Sequence, residues 1–231
     1  MRIAFGIIRL AVASAIVAAV IGQLLTSLAF WEQAGVKNIA LSVTNFFSFF
    51  TIESNVLGAV VLLIGAALLV TRTGEDPHWF TVLRAIAVTY LATTGIVYNL
   101  LLRGIELPQG ATLPWSNEVL HVVAPAWLVL DWLLAPGRAA LGWKAIWGII
   151  AFPIVWALYT LVRGPFTPNE VLGEPFWYPY PFLNPNLSAN GYLSVAFYVV
   201  LIAAVIGLAG AAVIWVSRRG QRRSLSPATL D

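Results

Sequence analysis

Phe46-Phe47-Ser48-Phe49-Phe50-Thr51-Ile52-Glu53-Ser54-Asn55 opens an apolar run that continues through Val56 to Thr71. The run exceeds the roughly 20 residues that a helix needs to cross the hydrocarbon of a bilayer. Five more stretches of this kind flank it, giving segments at approximately 3–30, 46–71, 79–102, 117–135, 143–163 and 191–216. Helices or closed barrels alone satisfy their backbone in lipid, and these runs lack the strict alternation of barrel strands. The expected fold is therefore all-α, an integral membrane bundle of six transmembrane helices.

Composition agrees. The 231 residues are 60% hydrophobic and 10% charged, against roughly 25% charged in a soluble domain. Mean hydropathy is +0.85. Residues 1–216 read as one transmembrane domain and 217–231 as a basic, disordered cytoplasmic tail near anionic headgroups. Arg2 and Arg9 precede an apolar stretch longer than the ~7–15 residues of a signal-peptide core, so the first segment reads as an uncleaved span. With no cysteine, disulfides, thiolate metal sites and cysteine nucleophiles are excluded. The net charge of +3 gives no nucleic-acid surface.

Lysine and arginine set the expected orientation. Arg2, Arg9, Arg72, Arg84, Arg138, Lys144, Arg218, Arg219, Arg222 and Arg223 flank one side, and Lys37, Arg103 and Arg163 the other. The positive-inside rule then places both termini in the cytoplasm. Loops 31–45, 103–116 and 164–190 face outward and carry Glu32, Glu106, Glu170 and Glu174. Trp31, Trp79, Trp115, Trp132, Trp143, Trp177 and Trp215 fall near segment ends, the pattern of an interfacial belt. Asp131, at the inner end of its segment, reads as a flank charge. Loop 164–190 interleaves six prolines with Phe176, Trp177, Tyr178, Tyr180 and Phe182. It reads equally as an interfacial anchor or as a lid.

The polar residues of the outer half concentrate the chemistry. On a continuous helix entering at residue 44, Thr51 lies two turns down, roughly 9 Å at 1.5 Å per residue. Ser48, Thr51 and Asn55 share its face. His121 lies one and a half turns into the fourth segment at similar depth, with Asn117 and Glu118 on its face. Pro125 kinks that helix. A histidine in a bilayer is costly unless paired or hydrated, which marks it as functional. A hydroxyl that can meet an imidazole makes an activated nucleophile, and Glu118 could orient the ring as a third member does. Asn99 and Arg103 reach the same level. Asn55, Asn99 and Asn117 are candidate oxyanion donors, and Arg103 a candidate carboxylate anchor.

Blander roles exist for each. A membrane threonine usually bonds its own i−4 carbonyl, Glu118 can be a solvated end residue, and Asn99 and Arg103 can tie helices together. His78 and His121 fall on opposite sides, which excludes a bis-histidine haem. No HExxH, Gly-x-Ser-x-Gly, Walker or dinucleotide motif occurs, so no metal or cofactor is expected.

Phe50-Thr51-Ile52, Asn117-Glu118-Val119-Leu120-His121-Val122-Val123-Ala124-Pro125 and Tyr180-Pro181-Phe182-Leu183 together resemble the androgen-induced and androgen-dependent membrane proteins (the ADTRP family) and their bacterial six-span relatives. The resemblance covers the chain in span number and order. It implies a threonine hydrolase that cleaves fatty acid esters of hydroxy fatty acids within the membrane, with Thr51 as nucleophile and His121 as the essential histidine. Glu53, Ser54 and Asn55 depart from the family's surroundings, and the bacterial-type features of the chain put the substrate in doubt more than the chemistry. The expected partners are membrane lipids and a lipid ester, and the expected location is a bacterial plasma membrane. Two rivals remain: a transporter or carboxylate-binding membrane protein without covalent catalysis, and a structural protein whose polar residues only lock helices.

Overall fold

The computed structural model describes residues 1–105 and 110–224, the last five by backbone alone. Glu106 and the tail beyond Ser224 lie outside the described residues. Among these the chain forms seven helices: α1 Arg2–Gln33, α2 Ile39–Phe47, α3 Phe50–Thr71, α4 His78–Leu102, α5 Pro114–Leu134, α6 Ala145–Arg163 and α7 Tyr192–Ser224. All but α2 are long and apolar enough to cross a membrane. Their outer surfaces suit an apolar solvent, since Ile7, Leu25, Val155 and Val162 are each more than 60% exposed. An array this apolar is compatible with an integral membrane protein. α4 takes the centre, contacting α3, α5, α6 and α7, while α1 packs along α3. One end of the bundle carries the start of α1 and the end of α7. The other gathers the three long loops.

The segment expected at 46–71 is not one helix. α2 stops at Phe47, and Phe49 is extended (φ −72°, ψ 127°) before α3 begins. The backbone freed at the break finds a partner, since Trp156 donates to the Ser48 carbonyl at 3.0 Å. Thr51 therefore lies in the first turn of α3, not two turns inside a longer helix.

Prolines free carbonyls in two other places, and each is recaptured. Pro153 has no N–H for the Ile149 carbonyl, which accepts the Tyr90 hydroxyl at 2.8 Å instead. In α5 a π-turn over Val119–Val123 pairs Ala124 N–H with the Val119 carbonyl, immediately before Pro125. The carbonyls of Leu120 and His121 are thus left without helix donors, and Asn55 and Asn99 supply them. A second π-turn spans Tyr98–Leu102 in α4.

Near the termini, three charges expected as flanks are buried instead. Asp131 receives Arg9 at 2.7 and 3.0 Å and Arg84 at 2.9 Å. Arg84 also bonds Asp76 at 2.7 Å, and Arg9 bonds the Gly65 carbonyl at 2.7 Å. The four side chains are almost fully buried. Burial is tolerable because two guanidiniums meet two carboxylates. Gly65 is required here, since a Cβ would lie 2.7 Å from Arg9 Nη1.

Two further expectations change. Trp31, Trp132 and Trp177 are buried, so the interfacial belt is left to Trp79, Trp115, Trp143 and Trp215. α7 continues past residue 216 to Ser224, with Ser217 buried against Leu141, so the tail's first part is helical.

Replacing Asp131 with alanine strands the buried Arg9 guanidinium and leaves Arg84 with Asp76 alone. The expected cost is about 3–5 kcal/mol, read as a large drop in melting temperature of the detergent-solubilised protein. An unchanged melting temperature would mean that the cluster contributes nothing to stability.

Candidate active site

The start of α3 presents Thr51 to the π-turn of α5. Thr51 Oγ1 lies 3.3 Å from His121 Nε2, and the residue is buried. His121 Nδ1 lies 2.9 Å from the Asn117 carbonyl. A carbonyl only accepts, so Nδ1 carries the proton and Nε2 presents a lone pair to the threonine hydroxyl. The ring is fixed further by stacking on Tyr98, with centroids 4.0 Å apart and planes 25° apart. Asn117 Nδ2 donates a short hydrogen bond to the Tyr98 hydroxyl.

Tyr180 completes the group. Its hydroxyl is 3.2 Å from Thr51 Oγ1 and accepts the Thr51 backbone N–H at 3.2 Å. It thus serves an amide of the first turn of α3, one of the four that every helix leaves unpaired. Since the Thr51 proton faces His121, the phenol proton points to Oγ1. Burial pushes the Tyr180 pKa up to about 12, so the group stays a donor at neutral pH. Tyr180 was legible only as part of the Tyr-Pro-Phe-Leu motif and the aromatic loop, not as a site residue.

Loop 164–190 delivers Tyr180. Short 3-10 turns at Gly164–Phe166 and Pro181–Leu183 shape it, and Asn169 and Glu174 pair their backbones. Gly164 lies so close to the Tyr178 ring that a Cβ would sit 2.4 Å from it. Glu170 accepts the Lys37 N–H at 2.6 Å, tying the loop to the start of α2. Phe49 meets Trp177 and Tyr180 edge-on at 5.9 and 5.6 Å. Trp177, Tyr178 and Tyr180 are buried, so this loop covers the site and does not present these rings as an interfacial anchor.

The other residues singled out from the sequence have different tasks. Glu118 does not orient the imidazole; both its oxygens bond Arg103, at 3.0 and 3.1 Å. This pair is half-exposed, and Glu118 raises the Arg103 pKa. Arg103 also bonds Asn99 at 2.9 Å and covers the Tyr98 ring at 5.2 Å, so it braces the site's aromatic pair. Asn55 is fully buried and gives both amide protons to carbonyls, Thr51 at 2.9 Å and Leu120 at 3.0 Å. Asn99 likewise donates to the Gly95 and His121 carbonyls. Neither asparagine has an amide proton left for an oxyanion.

Two cavities meet at Thr51, Tyr98 and Tyr180. A small one, about 120 Å³, includes Asn117 and His121 and lies under the loops. A larger one, about 550 Å³, runs between α4, α6 and α7. Of the five residues expected to bind substrate, only Asn117 lines either space; Asn55, Asn99, Arg103 and Glu118 do not.

No protein-family model, curated protein or solved structure matches this chain.

Asn55 ties the threonine's helix to the histidine's. Asn55→Leu leaves the Leu120 carbonyl buried and unpaired, at about 1–3 kcal/mol. The melting temperature should fall, and fluorescence quenching by a probe reacted at the site should show His121 and Thr51 less tightly held. Full retention of melting temperature would assign Asn55 no bridging role.

Proposed function

We propose that this protein is an intramembrane hydrolase of lipid esters, with Thr51 as nucleophile and His121 as general base. The observation that carries the reading is the 3.3 Å approach of Thr51 Oγ1 to an unprotonated His121 Nε2 at the junction of a small, partly polar cavity and a large apolar one. The distance is slightly long, as catalytic hydrogen bonds often are before substrate tightens them. The ADTRP-family resemblance puts the same two residues in the same roles.

The bundle spans a plasma membrane, with the termini in the cytoplasm and the loop end outward. Arg2, Arg72, Arg138, Lys144 and the arginines of α7 still favour that orientation once Arg9 and Arg84 are assigned to the buried cluster. Water then reaches the site from the loop side and lipid from the bilayer.

His121 Nε2 takes the Thr51 proton as Oγ1 bonds to the ester carbonyl carbon. The Tyr180 hydroxyl donates to the developing oxyanion. The tetrahedral intermediate collapses, the bond to the alcohol oxygen breaks, and the imidazolium returns its proton to that oxygen. Water then attacks the acyl-threonine while His121 removes its proton. The acid leaves, and Thr51 Oγ1 regains a proton from His121. Asn117 keeps Nδ1 protonated throughout, through its carbonyl.

Labelling with a fluorophosphonate probe tests the nucleophile. Wild type and Thr51→Ser should label, and Thr51→Ala should not. Labelling of Thr51→Ala equal to wild type would remove Thr51 from the reaction. Loss of the general base in His121→Ala lowers kcat by about 10²–10⁴-fold. Tyr180→Phe should lower kcat by about 10²–10³-fold, as loss of an oxyanion donor does, with little change in KM. Proteoliposome flux of a carboxylate that survives Thr51→Ala, with no labelling of wild type, would instead favour the transport reading.

A further inference from the structure

The two cavities that meet at Thr51 differ in size and lining, and the difference bears on what an ester must look like to fit. The large cavity follows α6 from Leu161 to Ile146, about 22 Å at 1.5 Å per residue. Beyond the site its wall is apolar. The hydroxyls of Thr93 and Thr94 are committed elsewhere, to the Thr89 carbonyl at 2.9 Å and to Ser54 at 3.1 Å. Trp156 spends its N–H on the Ser48 carbonyl. A space of 550 Å³ is within the 300–1,000 Å³ range of small-molecule pockets. With no donor or acceptor offered deep inside, its occupant is a hydrocarbon chain, and its elongated shape admits one such chain.

The small cavity is different. At about 120 Å³ it falls below the roughly 300–1,000 Å³ range of small-molecule pockets. Its wall mixes apolar residues such as Phe46 and Ile52 with Gln23, Asn45, Asn117 and Asn169, whereas the large cavity beyond the site offers almost no polar atom. Trp177 and Tyr180 of the loop line it. At about 120 against 550 Å³, this side of Thr51 has no room for a second long chain.

We infer, building on the hydrolase reading, that the substrate is a single-chain ester of a compact polar alcohol of about glycerol size. Its acyl chain lies in the large cavity and its alcohol among the amides of the small one. The carbonyl carbon then meets Thr51 Oγ1 at the junction, and the released polyol leaves toward the loops while the fatty acid leaves toward the bilayer. This differs from the two-chain ester that the family resemblance implies.

The test compares three esters on the purified full chain: a monooleoyl glycerol, the oleoyl ester of a hydroxystearic acid, and oleyl oleate. The expected result is a kcat/KM for the monoacylglycerol at least about 10-fold above the other two, the lower end of what misfit in a pocket gives. Equal or faster cleavage of either two-chain ester overturns the inference. Chain placement is tested with Ala203→Phe and, should that variant not fold, Gly207→Leu. Ala203 and Gly207 both line the large cavity, and a Cβ at 207 meets no atom within 4 Å. Each variant should lower the ratio of kcat/KM on p-nitrophenyl palmitate to that on p-nitrophenyl butyrate by about 10-fold or more relative to wild type. An undiminished ratio in both overturns the placement. Acylation of Thr51 by p-nitrophenyl butyrate separates the two levels. If it is absent, the hydrolase reading fails; if it is present without monoacylglycerol preference, only this inference fails.

Discussion

Backbone carbonyls without helical donors organise this bundle. In an apolar surrounding each unpaired peptide group costs several kcal/mol, so a proline or a helix break forces some other side chain to a fixed place. Pro125 and the adjoining π-turn strip the Leu120 and His121 carbonyls of donors. Asn55 from α3 and Asn99 from α4 fill them. Asn55 holds the Thr51 carbonyl with its other proton. The requirement that brings α3 against α5 therefore also brings the threonine hydroxyl to the imidazole. The same device recurs where Tyr90 serves the carbonyl freed by Pro153 and where Trp156 serves the break at Ser48.

The two ends of the bundle are locked by polar contacts of different kinds. Near the termini, Asp131 gathers arginines from α1 and α4, and Gly65 lets α3 approach Arg9. Under the loops, hydrogen bonds and stacked rings join α2, α3, α4, α5 and the loop before α7. Between the ends, α6 meets α4 and α7 without filling the space between them, and the large cavity occupies that slack. Close packing normally removes such voids. One this large, bordering the candidate nucleophile, is maintained because both ends are fixed independently of it.

Hydropathy made the six long helices legible, since segment length and apolarity are summed properties that local detail does not disturb. The break at Ser48–Phe49 was not legible, because aromatic residues and one serine leave the apolar run intact while ending the helix. The π-turns escaped for a related reason: a shift from i+4 to i+5 bonding leaves composition untouched. Arg9, Arg84 and Asp131 read as flanks because they lie near segment ends, and a charge there looks the same whether it meets water or a counter-charge on another helix. Thr51 and His121 were legible as residues at a common level. Their approach depended on the order of helices around the bundle, to which one sequence is blind. Glu118 illustrates the limit at short range. Its i−3 spacing from His121 placed it on the right face, but Arg103, arriving from α4, offers a full opposite charge, and the imidazole is served by a backbone carbonyl one residue away.

Tyr180 links the cover of the site to its chemistry. Its oxygen accepts the Thr51 N–H at the start of α3, where the aligned peptide dipoles favour negative charge. On the hydrolase reading, the oxyanion forms within reach of that same amide and of the phenol proton. A carbonyl oxygen entering there takes up donors that the phenol and threonine otherwise share between themselves, and no other donor need be brought in. The loop carrying Tyr180 is tied by Glu170 to the start of α2 and pressed by Phe49 against the helix break. Displacing it to admit a substrate disturbs the break, the nucleophile's first turn and the cover together. On the hydrolase reading, the reactive geometry therefore depends on this loop staying seated on the start of α3.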